Sequence, residues 1–253
     1  MVGQIKEMDE MNRMNERQPL DWDNPAVYQY EQTIPLKIPG YASLYEITNR
    51  LLSAQGKVGE SSDILIVGAG GGQECVTLGA EHEDRTFTGI DLSERMLEIA
   101  ARRVEAAGLK QRVTLIQGTI ENLPPGRLYD AATCMLVLHF IQGLSAKLQL
   151  LHGIAERLKP GAPLFLSSIN GEPGTTAFDL QMRTWVRHMQ DNGVSREETA
   201  KFAESIGTTY DPIPAIQVQE LLKGAGFEQV SSYFGVYLID AWVSIQAKQS
   251  LSM

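Results

Sequence analysis

Asp63-Ile64-Leu65-Ile66-Val67-Gly68-Ala69-Gly70-Gly71-Gly72 is the stretch on which the fold turns. Its first half is a short continuous apolar run, which suits a strand buried on both faces. Its second half is glycine-rich and ends the strand. Glycine admits backbone torsions closed to other residues and lets a ligand approach the main chain. A helix beginning just beyond would offer unpaired N–H groups to an anion. A tight strand-to-helix turn with no ligand has the same local sequence, so the turn needs a partner signal.

Working outward, the pattern alternates. Thr86 to Ile90 predicts a strand, and Ser93 to Ala107 a helix with Ser93 as N-cap and Gly108 closing it. Val113 to Gln117 reads as a strand, as does the apolar run Ala131 to Leu138; a helix from about Ser145 to Leu158 stops at Lys159-Pro160-Gly161, and Leu164 to Ile169 is a further strand. Strands alternating with helices imply crossover units and a mainly parallel sheet. After Asn170 the rhythm breaks into two helices across residues 175–206, separated near Asn192-Gly193. A helix near Ala215 to Lys223 then leads to strands near Phe227 to Phe234 and Tyr237 to Ala247, close enough in sequence for an antiparallel hairpin. Toward the N-terminus, Ala42 to Leu52 has helical spacing, and Leu20 to Tyr41, rich in aromatics and prolines, predicts an irregular arm. The fold class is α/β, a Rossmann-like doubly wound sheet.

Composition narrows the function. The chain has 253 residues and a formal net charge of −9, with 43% hydrophobic and 21% charged residues, an ordinary globular balance. An acidic chain argues against a broad nucleic-acid surface. Apolar runs are too short for a membrane span, and the charged first residues do not read as a secretory signal. Cys75 and Cys134 both fall in apolar segments, so neither a disulfide scaffold nor a cysteine metal site is expected. The expectation is a cytoplasmic protein with a small-molecule substrate, no nucleic acid, no membrane and no metal. A homodimer is one assembly open to it.

Asp91 is the partner signal. It ends the second strand about 20 residues past the glycines, where a carboxylate can accept hydrogen bonds from ribose hydroxyls. Glycine turn and Asp91 together specify a nucleoside-bearing cofactor, and the spacing of Gly68, Gly70 and Gly72 departs from the dehydrogenase pattern, whose third glycine would fall at Gln73. Gln117 to Asn122 places polar groups at the end of the third strand, and Leu158 to Ala162 closes a helix before the fifth. This ordered set over residues 60–170 resembles the class I S-adenosylmethionine-dependent methyltransferases. The resemblance implies S-adenosyl-L-methionine as cofactor and a seven-stranded sheet with an antiparallel last strand. Gly68, Gly70 and Gly72 would then line the cofactor, with Asp91 on the ribose and Thr119 and Ile120 near adenine. Ala69, Leu92, Met96, Gly118 and Met135 complete the candidate cofactor set. One departure is Ile66, where the family often has an acid.

Ile38-Pro39-Gly40-Tyr41, Leu138-His139-Phe140 and the stretch from Gly226-Phe227 are similar to the bacterial carboxy-S-adenosylmethionine synthases. That likeness implies a place for Tyr41 at the amino-acid end of the cofactor. Those synthases hold an added carboxylate with an arginine for which this chain offers Leu221, and Met135 replaces an asparagine. A buried carboxylate without a cation is disfavoured, which points to ordinary S-adenosylmethionine. His139, past the fourth strand, stands where a catalytic group would be, or else hydrogen-bonds loop backbone. Tyr28 and Trp22 on the arm, with Arg183, Trp185 and His188 on the first inserted helix, are candidates to close over a substrate. Met182, Trp185 and Met189 also fit plain packing by their helical spacing. The expected organisation is an arm and helix over residues 1–57, and a methyltransferase domain over 58–253 with a helical cap insert at 171–214. The expected reaction is methyl transfer to O, N or C of a metabolite. The alternatives are modification of the cofactor itself and a non-enzymatic cofactor-binding partner protein.

Overall fold

A computed structural model describes residues 30–55, 61–80 and 82–247. Strand β1 (Ser62–Val67) pairs in parallel with β2 (Arg85–Asp91) on one side and β4 (Ala131–Met135) on the other. Strand β3 (Val113–Gln117) extends the sheet beyond β2, and β5 (Pro163–Ile169) beyond β4. The terminal hairpin is β6 (Phe227–Val236) and β7 (Ile239–Gln246), with β7 antiparallel to β5. The order is β3-β2-β1-β4-β5-β7-β6, seven strands with the antiparallel pair at one edge. Strand order reverses between β1 and β4, and in such sheets a crevice opens beyond the carboxyl ends at that point.

The continuous apolar run of β1 has the cause inferred for it. Ile64 and Ile66 enter one core layer and Leu65 and Val67 the other, as a two-residue side-chain period requires. Helices α1 (Tyr30–Lys37), α2 (Tyr41–Ala54), α3 (Gln73–Gly79) and α4 (Glu94–Ala106) precede β3 in sequence. Helix α5 (Leu144–Glu156) precedes β5, and α8 (Ala215–Gly224) precedes the hairpin. Between β5 and α8 lie α6 (Thr176–Asp191) and α7 (Arg196–Glu204), the two helices expected there. Ser93 caps α4 as predicted, its Oγ accepting from Met96 N at 3.1 Å, and Gly108 follows with φ of 72°.

Two expectations are corrected. The arm is not irregular throughout: residues 30–37 are helical, with Pro35 inside the helix, while Tyr28 and Trp22 lie outside the described residues. The strand predicted to run to Leu138 ends at Met135. Leu136 then adopts φ of 60°, a left-handed torsion that a branched side chain resists, so the extended run breaks although the sequence stays apolar. Its N–H is held by both the carbonyl and the Oγ of Ser167, at 2.9 and 3.0 Å, and Leu138–Phe140 form a single helical turn beyond it.

Two buried cations tie distant elements together. Arg85 donates to Asn49 Oδ1 at 2.6 Å, to the Leu78 carbonyl and to Ser53 Oγ, joining β2 to α2. Lys147 pairs with Asp211 Oδ2 at 2.9 Å and donates to the Ile141 carbonyl, and Gly143 N donates to the same Asp211 oxygen at 2.7 Å. That cluster fastens the return from the inserted helices to the start of α5.

Candidate active site

The glycine turn closes onto the next strand: Gly68 N and Ala69 N both donate to the Ile90 carbonyl, at 2.9 and 2.8 Å. Gly68 has φ of 74°, and a Cβ there would lie 2.3 Å from Val137 Cγ2, so neither the torsion nor the space admits a side chain. Gly70 N donates to Asp91 Oδ2 at 2.8 Å and Ser93 N to Oδ1 at 3.0 Å. The carboxylate is thereby aimed by two main-chain groups.

These residues border a cleft of about 370 Å³ beyond the ends of β1, β2 and β4. Gly68, Gly70 and Asp91 stand on its floor beside Met135, Leu92 and Met96 reach its side, and Gly118, Thr119 and Ile120 close the end toward β3. Leu92 is 69% exposed at the lip. Thr119 Oγ1 bonds the Glu121 carboxylate, while Thr119 N donates to Asn122 Oδ1 at 2.9 Å. Gly72 does not belong to this wall, contrary to expectation. It lies against α4, where a Cβ would sit 3.0 Å from Ala100 Cα, so its glycine serves close helix packing.

Tyr41 and Ala69 border a smaller recess of about 40 Å³, which shares Gly68, Gly70 and Met135 with the cleft. Tyr41 and Tyr45 meet edge to face with centroids 4.9 Å apart. Glu31 and Arg103 supply charge around the recess, and Glu74 adds a carboxyl group. Sequence reasoning missed Glu74, because a glutamate in the first turn of a helix ordinarily faces water. Here it is buried.

A second cavity, of about 310 Å³, lies on the other side of Leu136 and Phe140, which border both spaces. Its walls are Ile34, Lys37 and Ile38 from α1 and its connection to α2, Trp185 and Met189 from α6, Phe202 and Lys201 from α7, and Tyr210 beyond them. Trp185 Nε1 donates to the Lys37 carbonyl at 2.6 Å, binding insert to arm. Trp185 thus both packs the insert and borders the cavity. Arg183 does neither: it is exposed and does not line this cavity, because two residues along a helix from Trp185 points to the opposite face.

His139 is buried in this wall between Phe140 and Tyr210. Its Nδ1 accepts from Ile169 N at 3.0 Å, which puts the proton of the neutral ring on Nε2. Burial, with the nearby Lys147 charge, pushes its pKa down to about 3. Burial likewise pushes the Tyr210 phenol up to about 12. The described residues contain no helix long and apolar enough to cross a membrane and no group of acidic, histidine or cysteine side chains able to hold a metal.

A carboxylate held ready for a diol, a Gly-bounded floor and a charged recess at the far end fit a nucleoside joined to an amino acid. The comparisons agree. Residues 64–161 match a family described as a methyltransferase domain. The match spans the segment from β1 to just past α5, and the seven-stranded order with its antiparallel edge pair is the fold the solved methyltransferase structures below share. The chain is 25% identical over 237 residues to a carboxy-S-adenosyl-L-methionine synthase of Colwellia psychrerythraea, covering 92% of this chain and 94% of that one. It is 29% identical over 168 residues to a ubiquinone biosynthesis O-methyltransferase of Dechloromonas aromatica, covering 59% of this chain and 69% of that one. Among solved structures, an O-methyltransferase family protein from Burkholderia thailandensis shares the fold with a TM-score of 0.60 at 14% identity, over 98% of this chain and 71% of that one. A protein from Nostoc punctiforme does so at a TM-score of 0.63 and 15% identity over 87% of this chain, which spans 59% of its length.

Proposed function

We propose that the chain transfers a methyl group to a small, largely apolar acceptor held in the 310 Å³ cavity. The observation that carries this is the common wall: Leu136 and Phe140 border both the cofactor cleft and the aromatic cavity, so a ligand in each would meet there. S-adenosylmethionine, when bound, supplies a methyl group on a sulfonium for in-line displacement. Asp91 and the glycine turn would hold its nucleoside, with Thr119 and Ile120 beside the base and Tyr41 toward the amino-acid end. Trp185, Met189, Phe202 and Tyr210 would exclude water and align the acceptor. The arm (residues 1–57) and the insert (171–214) serve in this reading as the cover over the methyltransferase domain (58–253).

His139 enters as a donor. With Nδ1 committed to Ile169 N, the neutral ring offers Nε2–H to the acceptor and takes no proton from it. The acceptor must then bring its own lone pair, as an ionised oxygen, a neutral amine or an activated carbon does. Placement in the cytoplasm, a substrate other than nucleic acid, and a homodimer testable by light scattering belong to the same reading.

The second reading, modification of the cofactor as in the carboxy-S-adenosylmethionine synthases, has the near full-length similarity in its favour. Against it, Leu221, which stands where the resemblance puts an arginine, packs against the apolar layer beneath the sheet. Incubation with methyl-labelled S-adenosylmethionine and panels of phenols, amines and prephenate decides between them. Label recovered in an apolar acceptor supports methyl transfer; a carboxylated cofactor formed from prephenate overturns it.

A further inference from the structure

The fold does not account for Glu74. It is the second residue of α3, is 3% exposed, and its Oε1 has no hydrogen-bond partner. An unpaired buried carboxyl oxygen is uncommon, because each such atom forfeits its hydration without return. Glu74 borders the small recess together with Tyr41 and Tyr45 from α2, Arg103 from α4 and Glu31 from α1. Arg103 does not hydrogen-bond it: its guanidinium is taken by the Gly71 carbonyl and Gln73 Oε1, both at 2.8 Å, and by Glu31 at 3.1 Å.

The recess joins the cofactor cleft through Gly68, Gly70 and Met135, so a ligand with its ribose on Asp91 reaches it with its other end. About 40 Å³ is room for a polar head group of few atoms. We propose that Glu74 receives the α-ammonium of the methionine portion of S-adenosylmethionine, and so makes binding depend on an intact amino-acid end. This rests on the cofactor reading above and goes beyond it by giving a role to a buried acid.

A consequence separates the role from a structural one. Burial pushes the Glu74 carboxyl up to about 8, with Asp91 repelling in the same direction, while its own backbone N–H and Arg103 act the other way. The other titratable groups it influences are the Tyr41 and Tyr233 phenols and the Cys75 and Cys134 thiols, all raised chiefly by burial and neutral at pH 7. Free protein at pH 7 therefore carries a proton on Glu74. Pairing with an ammonium favours the carboxylate, so that proton passes to solvent on binding, and affinity climbs as pH rises toward 8.

Calorimetric titration with S-adenosylhomocysteine at pH 7, in buffers of different ionisation enthalpy, should show release of about one proton. The same titration with 5′-methylthioadenosine, which lacks the amino-acid end, should show none. Glu74→Gln should weaken S-adenosylhomocysteine roughly 10- to 100-fold and abolish proton release, leaving methylthioadenosine affinity unchanged. Unchanged S-adenosylhomocysteine affinity in Glu74→Gln overturns the proposal. An equal loss of both ligands on Glu74→Gln overturns it too. If neither ligand binds the unaltered protein, the cofactor reading itself fails, and this inference with it.

Discussion

The 370 Å³ cleft and the 310 Å³ cavity adjoin at Leu136 and Phe140 and are built by different means. The cleft is framed by the glycine turn and the ends of neighbouring strands. Its one aimed side chain, Asp91, is held by Gly70 N only 21 residues away. The cavity is made of side chains from distant segments: Trp185 bonds the Lys37 carbonyl across 148 residues, and Lys147 reaches Asp211 across 64. A local architecture leaves a local sequence signature, and a dispersed one does not. The cleft should therefore respond to substitution through ligand binding, and the cavity through stability.

Lys147→Met should give the largest effect. Removing one partner leaves Asp211 partly buried and uncompensated, and unfolding by denaturant should show a loss of roughly 3 kcal/mol. S-adenosylhomocysteine affinity, measured on the folded protein, should stay within a factor of about three. A large loss of affinity would show that the two regions are not independent.

Asp91→Ala tests the other side. It should weaken S-adenosylhomocysteine by roughly 1–3 kcal/mol in calorimetry, since charge-assisted bonds are lost. If the variant bound normally, the ribose would have to lie elsewhere in the cleft.

Trp185→Phe keeps an aromatic ring, trims part of the indole's buried volume and deletes the bond to Lys37. A stability loss of about 1 kcal/mol is expected, with acceptor affinity reduced and cofactor affinity kept. The smallest effect is in the pH profile. His139, depressed from 6.5 to about 3, should stay neutral through the working range and give kcat/KM no inflection near pH 6.5. The same depression supplies stability that is complete above pH 6.5 and lost as pH falls toward 3, so His139→Gln should flatten the acid limb of thermal unfolding.

What was readable follows the same division. Ile64 to Val67 announce a strand buried on both faces, Ser93 announces its helix, and Asp91 ends β2 beside the glycine turn, as its spacing implied. Misreadings arose where packing against another element decides. Gly72 belongs to the same motif as Gly68, yet Ala100 on α4 claims it for packing. Leu136-Val137-Leu138 continue an apolar run, and only the grip of Ser167 on Leu136 N shows that the strand has ended. Arg183 and Trp185 stand two apart in the sequence, and helical geometry turns one to water and the other to the cavity. Glu74 gave no signal because its polarity is ordinary for its position in the chain, and only its burial is not.

The central claim is that S-adenosylmethionine lies in the β1–β2–β4 cleft with its sulfonium facing the aromatic cavity. A crystal structure of the complex with S-adenosylhomocysteine tests this most directly. The account predicts the ribose hydroxyls on Asp91, the base beside Thr119 and Ile120, and the sulfur against Leu136 and Phe140 with its open side toward Trp185 and His139. A ligand seated in the 310 Å³ cavity instead, or one whose sulfur faces away from Leu136, would contradict it.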